Sequence, residues 1–230
     1  MKHFTLLNFT FTLGLAQTLS AASLITGGHI DVPAFGYDSA GGFEPHFHNE
    51  GGPDGVIIDG VREENETEYE ADELTVYVNP ISTTTLGMNS YYWLPETETA
   101  AAANNVPFVG IGLEELNLAD WVGGTVTLTL LSATGPGEFR LWQDDGFGGT
   151  IDYIDTLNSV TSFSIIPGSH THYNWGFTQL GIYNLEFEIS GVHVADGVQS
   201  ASATFSYAIP EPSSAILGLS GLLLVFHRRR

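Results

Sequence analysis

Several short segments of the chain alternate apolar and polar residues with a period of two. In TVTLTLLSA, Val126, Leu128 and Leu130 fall on one side and threonines on the other. In IYNLEFEIS, the residues from Tyr183 to Ile189 alternate in the same way. Because successive side chains of a β-strand point to opposite faces, this period predicts half-buried strands.

Turn-forming residues between the alternating segments, together with few helix-forming segments, indicate that the whole fold is built from β-strands. The pair Asp196-Gly197 lies between two alternating segments and predicts a closing hairpin. Helix signals are limited to ETETAAAANN and a turn at GLEELNLADW, where Glu114 and Glu115 suit a helix dipole. We expect an all-β fold, an antiparallel β-sandwich of the jelly-roll or immunoglobulin-like kind, with an N-terminal signal helix and a short C-terminal hydrophobic helix.

The N-terminal segment has the pattern of a secretory signal peptide. Lys2 and His3 precede an apolar stretch from Phe4 to Leu19, and small residues follow it. Cleavage is expected after Ala21 or Ala22. The pattern predicts a signal peptide at 1–22, which is followed by the β-sandwich domain at 23–208.

The C-terminal segment 209–230 carries a short apolar run from Ala215 to Phe226. As a helix this run would be roughly 18 Å long, less than the ~30 Å of a bilayer core, so it predicts a poor permanent anchor. Basic residues after it would stay in the cytoplasm, which places the body of the protein outside. The flanking motif residues are Pro210, Glu211 and Pro212 before the run and Arg228, Arg229 and Arg230 at the end.

This order of motifs resembles the PEP-CTERM sorting signal of Gram-negative bacteria. The resemblance implies recognition by an exosortase-type membrane protease after export through the Sec translocon. It also implies transient anchoring in the inner membrane by the C-terminal helix. The final location would be the cell surface or an extracellular polysaccharide matrix.

The charge of the chain excludes some partners. The net charge is −21 at pH 7, and of the six basic residues only Arg62 and Arg140 lie between the predicted signals. Such a surface repels nucleic acid and attracts cations, so we expect no nucleic-acid partner. The acidic run from Arg62 to Glu73 is predicted to be a solvated, mobile loop.

Catalytic motifs are missing from the sequence, and we expect no enzymatic activity. There is no cysteine, which removes thiol catalysis and disulfides. A Gly-x-Ser-x-Gly elbow, a phosphate-binding loop and a His-Glu-x-x-His helix are also missing. The segment GIGLEE contains part of a dinucleotide fingerprint but lacks the βαβ context, so it is not interpreted as a nucleotide site.

Most of the remaining chain carries a second resemblance. ITGGHIDV, YYWLPET, TVTLTLLSATGPGEFRLWQDDGFG and PGSHTHYNWGFTQLGIYNLEFEISG occur in that order. This order is similar to the surface-anchored domain of actinobacterial wall proteins, also named choice-of-anchor M, although Leu180 replaces a proline of that pattern. The resemblance implies a β-rich extracellular module. It also implies an association with transport systems that resemble metal importers, but it does not indicate which residues would bind a metal.

Histidines occur in closely spaced groups at GHID, HFH and HTH. On a strand, residues i and i+2 project from one face about 6.5 to 7 Å apart, so both can reach one ion. Such groups could supply the ligands of zinc or copper, whereas calcium fits them less well. The candidate ligands are His29, Asp31, His46, His48, His170 and His172.

Two other interpretations of the sequence remain open. The histidines could brace a loop junction through backbone hydrogen bonds. A carbohydrate-binding or carbohydrate-active β-sandwich is an alternative function, because Trp93, Trp121 and Trp142 could stack on sugar rings. Within PGSHTHYNWGF, the alternation places Tyr173, Trp175 and Phe177 in the core and the histidines on the opposite face.

Overall fold

The computed structural model of the protein describes residues 22–211, and most of them form β-strands. The prediction of a mainly β fold is confirmed. The predicted signal helix and C-terminal hydrophobic helix lie outside the described residues. Between residues 22 and 211, no helix has the length and apolar character that crossing a membrane requires.

The first half of the described chain contains β1 (Ser23–Gly27), β2 (His29–Asp38), β3 (Gly42–Asn49), β4 (Ile57–Ile58), β5 (Val61–Arg62), β6 (Thr67–Glu70), β7 (Leu74–Tyr77), β8 (Thr83–Leu86), β9 (Asn89–Leu94) and the helix α1 (Glu98–Asn104). The second half contains β10 (Phe108–Gly112), β11 (Val126–Thr134), β12 (Phe139–Asp144), β13 (Thr150–Asp155), β14 (Ser162–Ile165), β15 (His170–His172), β16 (Asn174–Phe177), β17 (Gly181–His193) and β18 (Gly197–Ile209). Short 3₁₀ turns lie at Gly52–Asp54, Leu118–Asp120 and Val122–Gly124.

The strands form three sheets. The largest has eight strands in the order β14-β11-β17-β18-β7-β1-β4-β5. Of the two five-stranded sheets, one has the order β15-β10-β2-β3-β6 and the other β13-β12-β16-β9-β8. We call the sheet that contains β2 and β15 the histidine sheet, because it carries the histidine pairs of the sequence.

The pairing is mixed, which corrects the expectation of a purely antiparallel fold. Most neighbours are antiparallel, but β1 pairs with β7, β2 with β10, and β7 with β18 in parallel. Parallel neighbours need a long crossover connection between them. Local alternation does not reveal such crossovers, because it reports which residues are buried and not which strands are adjacent.

The period-two prediction for the long strands is confirmed. In β11, Val126, Leu128 and Leu130 are buried and the intervening threonines are less so. β17 buries every second residue from Tyr183 to Ile189. The predicted hairpin at Asp196-Gly197 joins β17 to β18, which pair along their whole length.

Aromatic contacts connect each five-stranded sheet to the eight-stranded sheet. Phe47 of the histidine sheet packs on Phe205 of β18, with ring centroids 5.1 Å apart. Trp175 of β16 stacks on Tyr207 of β18 at 5.5 Å. These residues are almost fully buried, as the aromatic side of the HTHYNWGF segment predicts for Trp175.

Part of the predicted acidic loop is a strand. β6 lies inside the run from Arg62 to Glu73 and pairs with β3 at the edge of the histidine sheet. Thr67 and Tyr69 are half-buried while Glu68 and Glu70 are exposed. The loop prediction is wrong here because the high glutamate content obscured the alternation of half-buried and exposed residues that is typical of an edge strand.

Candidate metal centre

The face of the histidine sheet brings together residues from its first three strands. Gly110 of β10 is opposite His172 of β15 on one side and opposite Asp31 of β2 on the other. Gly112 is opposite His170. Because residues opposite each other in neighbouring strands project to the same face, the histidines of β15 and Asp31 point into one space above β10.

That space exists because β10 has glycines at the two positions below it. A Cβ atom at Gly110 would collide with Asp31 Oδ1 and would lie 2.9 Å from His170 Nε2. At Gly112, a Cβ atom would lie 3.0 Å from Asp31 Oδ2. Glycine inside a strand often marks a close approach of other groups, and here the approaching groups are polar side chains.

Three potential ligand atoms form a compact triangle above these glycines. His29 Nε2 lies 3.2 Å from His170 Nε2. Asp31 Oδ1 lies 3.1 Å from His170 Nε2 and 3.5 Å from His29 Nε2. Ring nitrogens of His29, His170 and His172 also lie within 4.8 Å of one another. We call the residues His29, Asp31, His170 and His172 the first cluster.

Asp31 is the most deeply buried member of the first cluster. Its side chain has 0% exposure, and neither carboxylate oxygen receives a well-directed hydrogen bond. The imidazole of His170 is near in distance, but its N–H is not aimed at the oxygen. A buried carboxylate without directed donors is costly, so a cation beside Asp31 would relieve the cost.

The environment keeps Asp31 charged and His172 neutral. Burial by itself raises the pKa of Asp31, but the adjacent His170 and His29 outweigh it and hold the pKa well below its usual range. Burial, followed by repulsion from His29 and His170, lowers the pKa of His172 to about 4. A carboxylate and a neutral imidazole are the protonation states in which these residues bind metal.

His170 has carboxylates on both sides of its ring. Asp31 first, and then Glu114, raise the pKa of His170 to about 10. Its Nδ1 lies 2.6 Å from Glu114 Oε1 and 3.3 Å from Glu50 Oε1. Metal-binding histidines commonly donate one ring N–H to a carboxylate while the other nitrogen binds the ion. Glu114 is placed for that supporting role, and because the raised pKa of His170 keeps both ring nitrogens protonated near pH 7, an ion that binds Nε2 must displace its proton.

His172 is fixed by packing rather than by ion pairs. Its ring stacks on Phe108 with centroids 3.6 Å apart and an interplanar angle of 7°. Its Nδ1 is buried and has no hydrogen-bond partner.

Comparison with protein-family models, with curated proteins and with solved structures finds no match for this chain. The geometry and the sequence motifs therefore carry the functional argument.

The two histidines of HFH do not join the first cluster, although His48 of β3 is opposite Asp31 of β2 in the sheet. His46 faces Glu115, with His46 Nε2 3.2 Å from Glu115 Oε1. His48 has Glu66 as its nearest carboxylate, 3.6 Å away. Four of the six candidate ligands thus meet in the first cluster, and His46 belongs to a separate group with Glu68 and Glu115.

Several contributing residues were not identified from the sequence. Glu114 and Glu115 were assigned to a helix dipole, but the 3₁₀ turn begins only at Leu118 and both side chains face histidines instead. The segment GIGLEE supplies these glutamates together with Gly110 and Gly112. Two glycines at period two in a strand were the signal that could have revealed the site.

Two of the three tryptophans that were considered for sugar stacking are buried. Trp142 is 1% exposed and Trp121 is 3% exposed, whereas Trp93 is half-buried and its Nε1–H donates to Asn174 Oδ1. Trp142 lies beneath Gly176, where an added Cβ atom would meet its ring at 2.6 Å. This close approach of strand β16 buries Trp142, although the alternation of apolar and polar residues in β12 predicts an exposed residue at that position.

Proposed function

We propose that the protein is an exported, surface- or matrix-associated, non-catalytic β-domain protein that binds a divalent transition metal ion through the first cluster. The observation that carries the proposal is the triangle formed by His29 Nε2, His170 Nε2 and Asp31 Oδ1, with sides of 3.1 to 3.5 Å. His172 would supply a further nitrogen.

The size of the triangle matches a tetrahedral ion. With metal–ligand distances of about 2.0–2.1 Å, neighbouring ligands of a tetrahedral zinc lie about 3.3 Å apart. Nitrogen-rich donor sets with one carboxylate suit zinc and copper better than calcium, which prefers six or more oxygens. We propose zinc or copper for this site.

Incomplete hydrogen bonding supports binding over a bracing role. Both oxygens of Asp31 and Nδ1 of His172 lack a well-directed hydrogen bond, although His170 Nε2 lies 3.1 Å from Asp31 Oδ1. The strongly acidic surface would also raise the local concentration of cations.

Metal analysis of the purified protein tests the proposal. We expect near-stoichiometric zinc or copper by elemental analysis, and loss of most of that metal after His170→Ala plus His172→Ala. His193→Gln is the matched control, because His193 contacts Tyr37 and Asp196 outside the first cluster. If the double variant keeps its metal while its circular dichroism is unchanged, the proposal is wrong.

The export part of the proposal rests on the two terminal motifs. The last strand ends at Ile209, and Pro210 and Glu211 are exposed directly after it. A processing protease would therefore meet an accessible segment. We further propose that the sheets form a β-sandwich of the jelly-roll or immunoglobulin-like kind, which suits an extracellular module.

Intact-mass measurement of the protein recovered from the cell surface tests export. We expect a mass that lacks residues 1–21 or 1–22 and the segment after the Pro210-Glu211-Pro212 motif. Replacement of the arginine tail, residues 228–230, by alanine should leave the C-terminal segment attached. A surface protein that retains both ends would contradict the sorting proposal.

A further inference from the structure

We propose that His46, Glu68 and Glu115 form a second divalent-cation site, separate from the first cluster and richer in oxygen ligands. Ligand atoms of the three residues lie within 4.8 Å of one another. They come from β3, from β6 and from the turn after β10. None of them belongs to the site of the proposed function, so either site can fail without the other.

The orientation of His46 is the first argument for this site. His46 Nδ1 lies 2.8 Å from the backbone carbonyl oxygen of Glu44 and donates its hydrogen to it. That bond fixes the tautomer, because a neutral imidazole carries only one N–H. The lone pair of Nε2 therefore points away from Glu44.

The lone pair of His46 Nε2 faces the carboxylate of Glu115. His46 Nε2 lies 3.2 Å from Glu115 Oε1, is buried, and has no hydrogen-bond partner. The residue itself is 6% exposed. A neutral imidazole nitrogen and a carboxylate oxygen at this distance repel each other unless a proton or a metal cation lies between them. A divalent cation bound by both atoms supplies the positive charge.

A glycine lies below the second site, as it does below the first. Gly36 of β2 lies under the Glu115 carboxylate, where an added Cβ atom would be 2.8 Å from Glu115 Oε2. Gly110 does the same under Asp31. Adjacent residues of one turn thus serve both groups, since Glu114 supports His170 while Glu115 faces His46.

Within residues 22–211, no arginine or lysine side chain neutralises the negative charge of Glu68 and Glu115. The basic residues there are Arg62 and Arg140. Arg62 donates to the carbonyl oxygen of Gly55, and Arg140 pairs with Asp152. The carboxylates of Glu68 and Glu115 are therefore available to a soluble cation.

The donor set indicates which cations the site accepts. One imidazole and two carboxylates suit ions that accept mixed nitrogen and oxygen ligands, such as Mn²⁺ or Zn²⁺. Glu68 and Glu115 are exposed, whereas Asp31 is fully buried. We expect weaker and more rapidly exchanging binding than at the first cluster, with a cation that retains water ligands.

Titration with Mn²⁺ itself tests the inference. The first cluster is removed from the full protein by His170→Ala plus His172→Ala, the protein is stripped with a chelator, and free Mn²⁺ is then followed by its paramagnetic resonance signal. We expect one Mn²⁺ to bind per chain, and Glu115→Gln or His46→Gln to abolish that binding. Glu66→Gln is the matched control, because it removes the same charge from a residue that is 77% exposed and outside the group.

The outcomes separate the two sites. Loss of Mn²⁺ binding in Glu115→Gln with retention in Glu66→Gln supports the second site, whatever His170→Ala plus His172→Ala does to zinc. Equal Mn²⁺ binding by Glu115→Gln and the parent protein overturns the inference. So does a complete lack of Mn²⁺ binding, which would leave His46 and Glu115 as an imidazolium–carboxylate ion pair. Circular dichroism of each variant shows that the fold is retained.

Discussion

Gly110 shows how a residue without a side chain can define a polar site. It lies in β10 between Asp31 and the histidines of β15, and a Cβ atom would occupy the space where their side chains meet. The ligand geometry therefore depends on a position that offers no ligand.

Gly110→Ala is expected to disrupt the first cluster. The added methyl group must displace Asp31 or His170, and such overpacking costs about 1–3 kcal/mol of unfolding free energy. We expect a lower free energy of unfolding, measured by urea unfolding, and loss of bound zinc or copper, measured by elemental analysis.

Gly41→Ala is the control for this substitution. Gly41 lies in the turn between β2 and β3, and its nearest contact for a Cβ atom is Glu44 Oε1 at 3.4 Å. Its effect on stability should stay below about 0.5 kcal/mol, as is usual for exposed positions. Equal stability and metal content of the Gly110→Ala and Gly41→Ala variants would show that the space above Gly110 is not critical.

At the scale of elements, the long strands were predictable and the short ones were not. β11 and β17 follow the apolar alternation of their sequences closely. β6 was missed because four residues with two glutamates satisfy the pattern of a charged loop as well as that of a strand. Pairing with β3 decided the outcome, and pairing is a long-range property.

The segment PGSHTHYNWGF illustrates the same limit. Its alternation correctly placed Tyr173, Trp175 and Phe177 in the core. It did not show that β15 and β16 belong to different sheets. The chain changes sheets at Tyr173, so the histidines face the strands of the histidine sheet while Trp175 packs against the eight-stranded sheet.

For the whole molecule, bound metal should act as a cross-link between distant strands. The first cluster joins His29 and His170, which are 141 positions apart in the chain. A ligand that binds only the folded state stabilises it by about 2.7 kcal/mol at one hundred times its dissociation constant. For a domain of this size, that corresponds to a rise in Tm of about 5–10 °C.

Thermal unfolding with and without added Zn²⁺ measures this effect. We expect a higher Tm with Zn²⁺, no comparable rise with Mg²⁺ at equal ionic strength, and a much smaller Zn²⁺ effect in His170→Ala plus His172→Ala. The Mg²⁺ arm accounts for general screening of the −21 net charge. Equal Tm values with zinc and magnesium would argue against specific binding to the folded protein.

The sequence by itself determined the strand-rich composition of the fold, the buried face of each long strand and the spacing within each histidine pair. These properties follow from the covalent geometry of an extended chain, in which alternate side chains share a face. The terminal motifs and the acidic surface are also properties of the sequence alone.

Only the tertiary structure decided which of these residues meet. His29, Asp31, His170 and His172 converge because β2 and β15 flank β10, whereas His46 of β3 lies with Glu68 and Glu115 nearer the β6 edge of the same sheet. Strand order arises from packing of the whole core and from crossovers between distant segments, so spacing along one strand does not contain it.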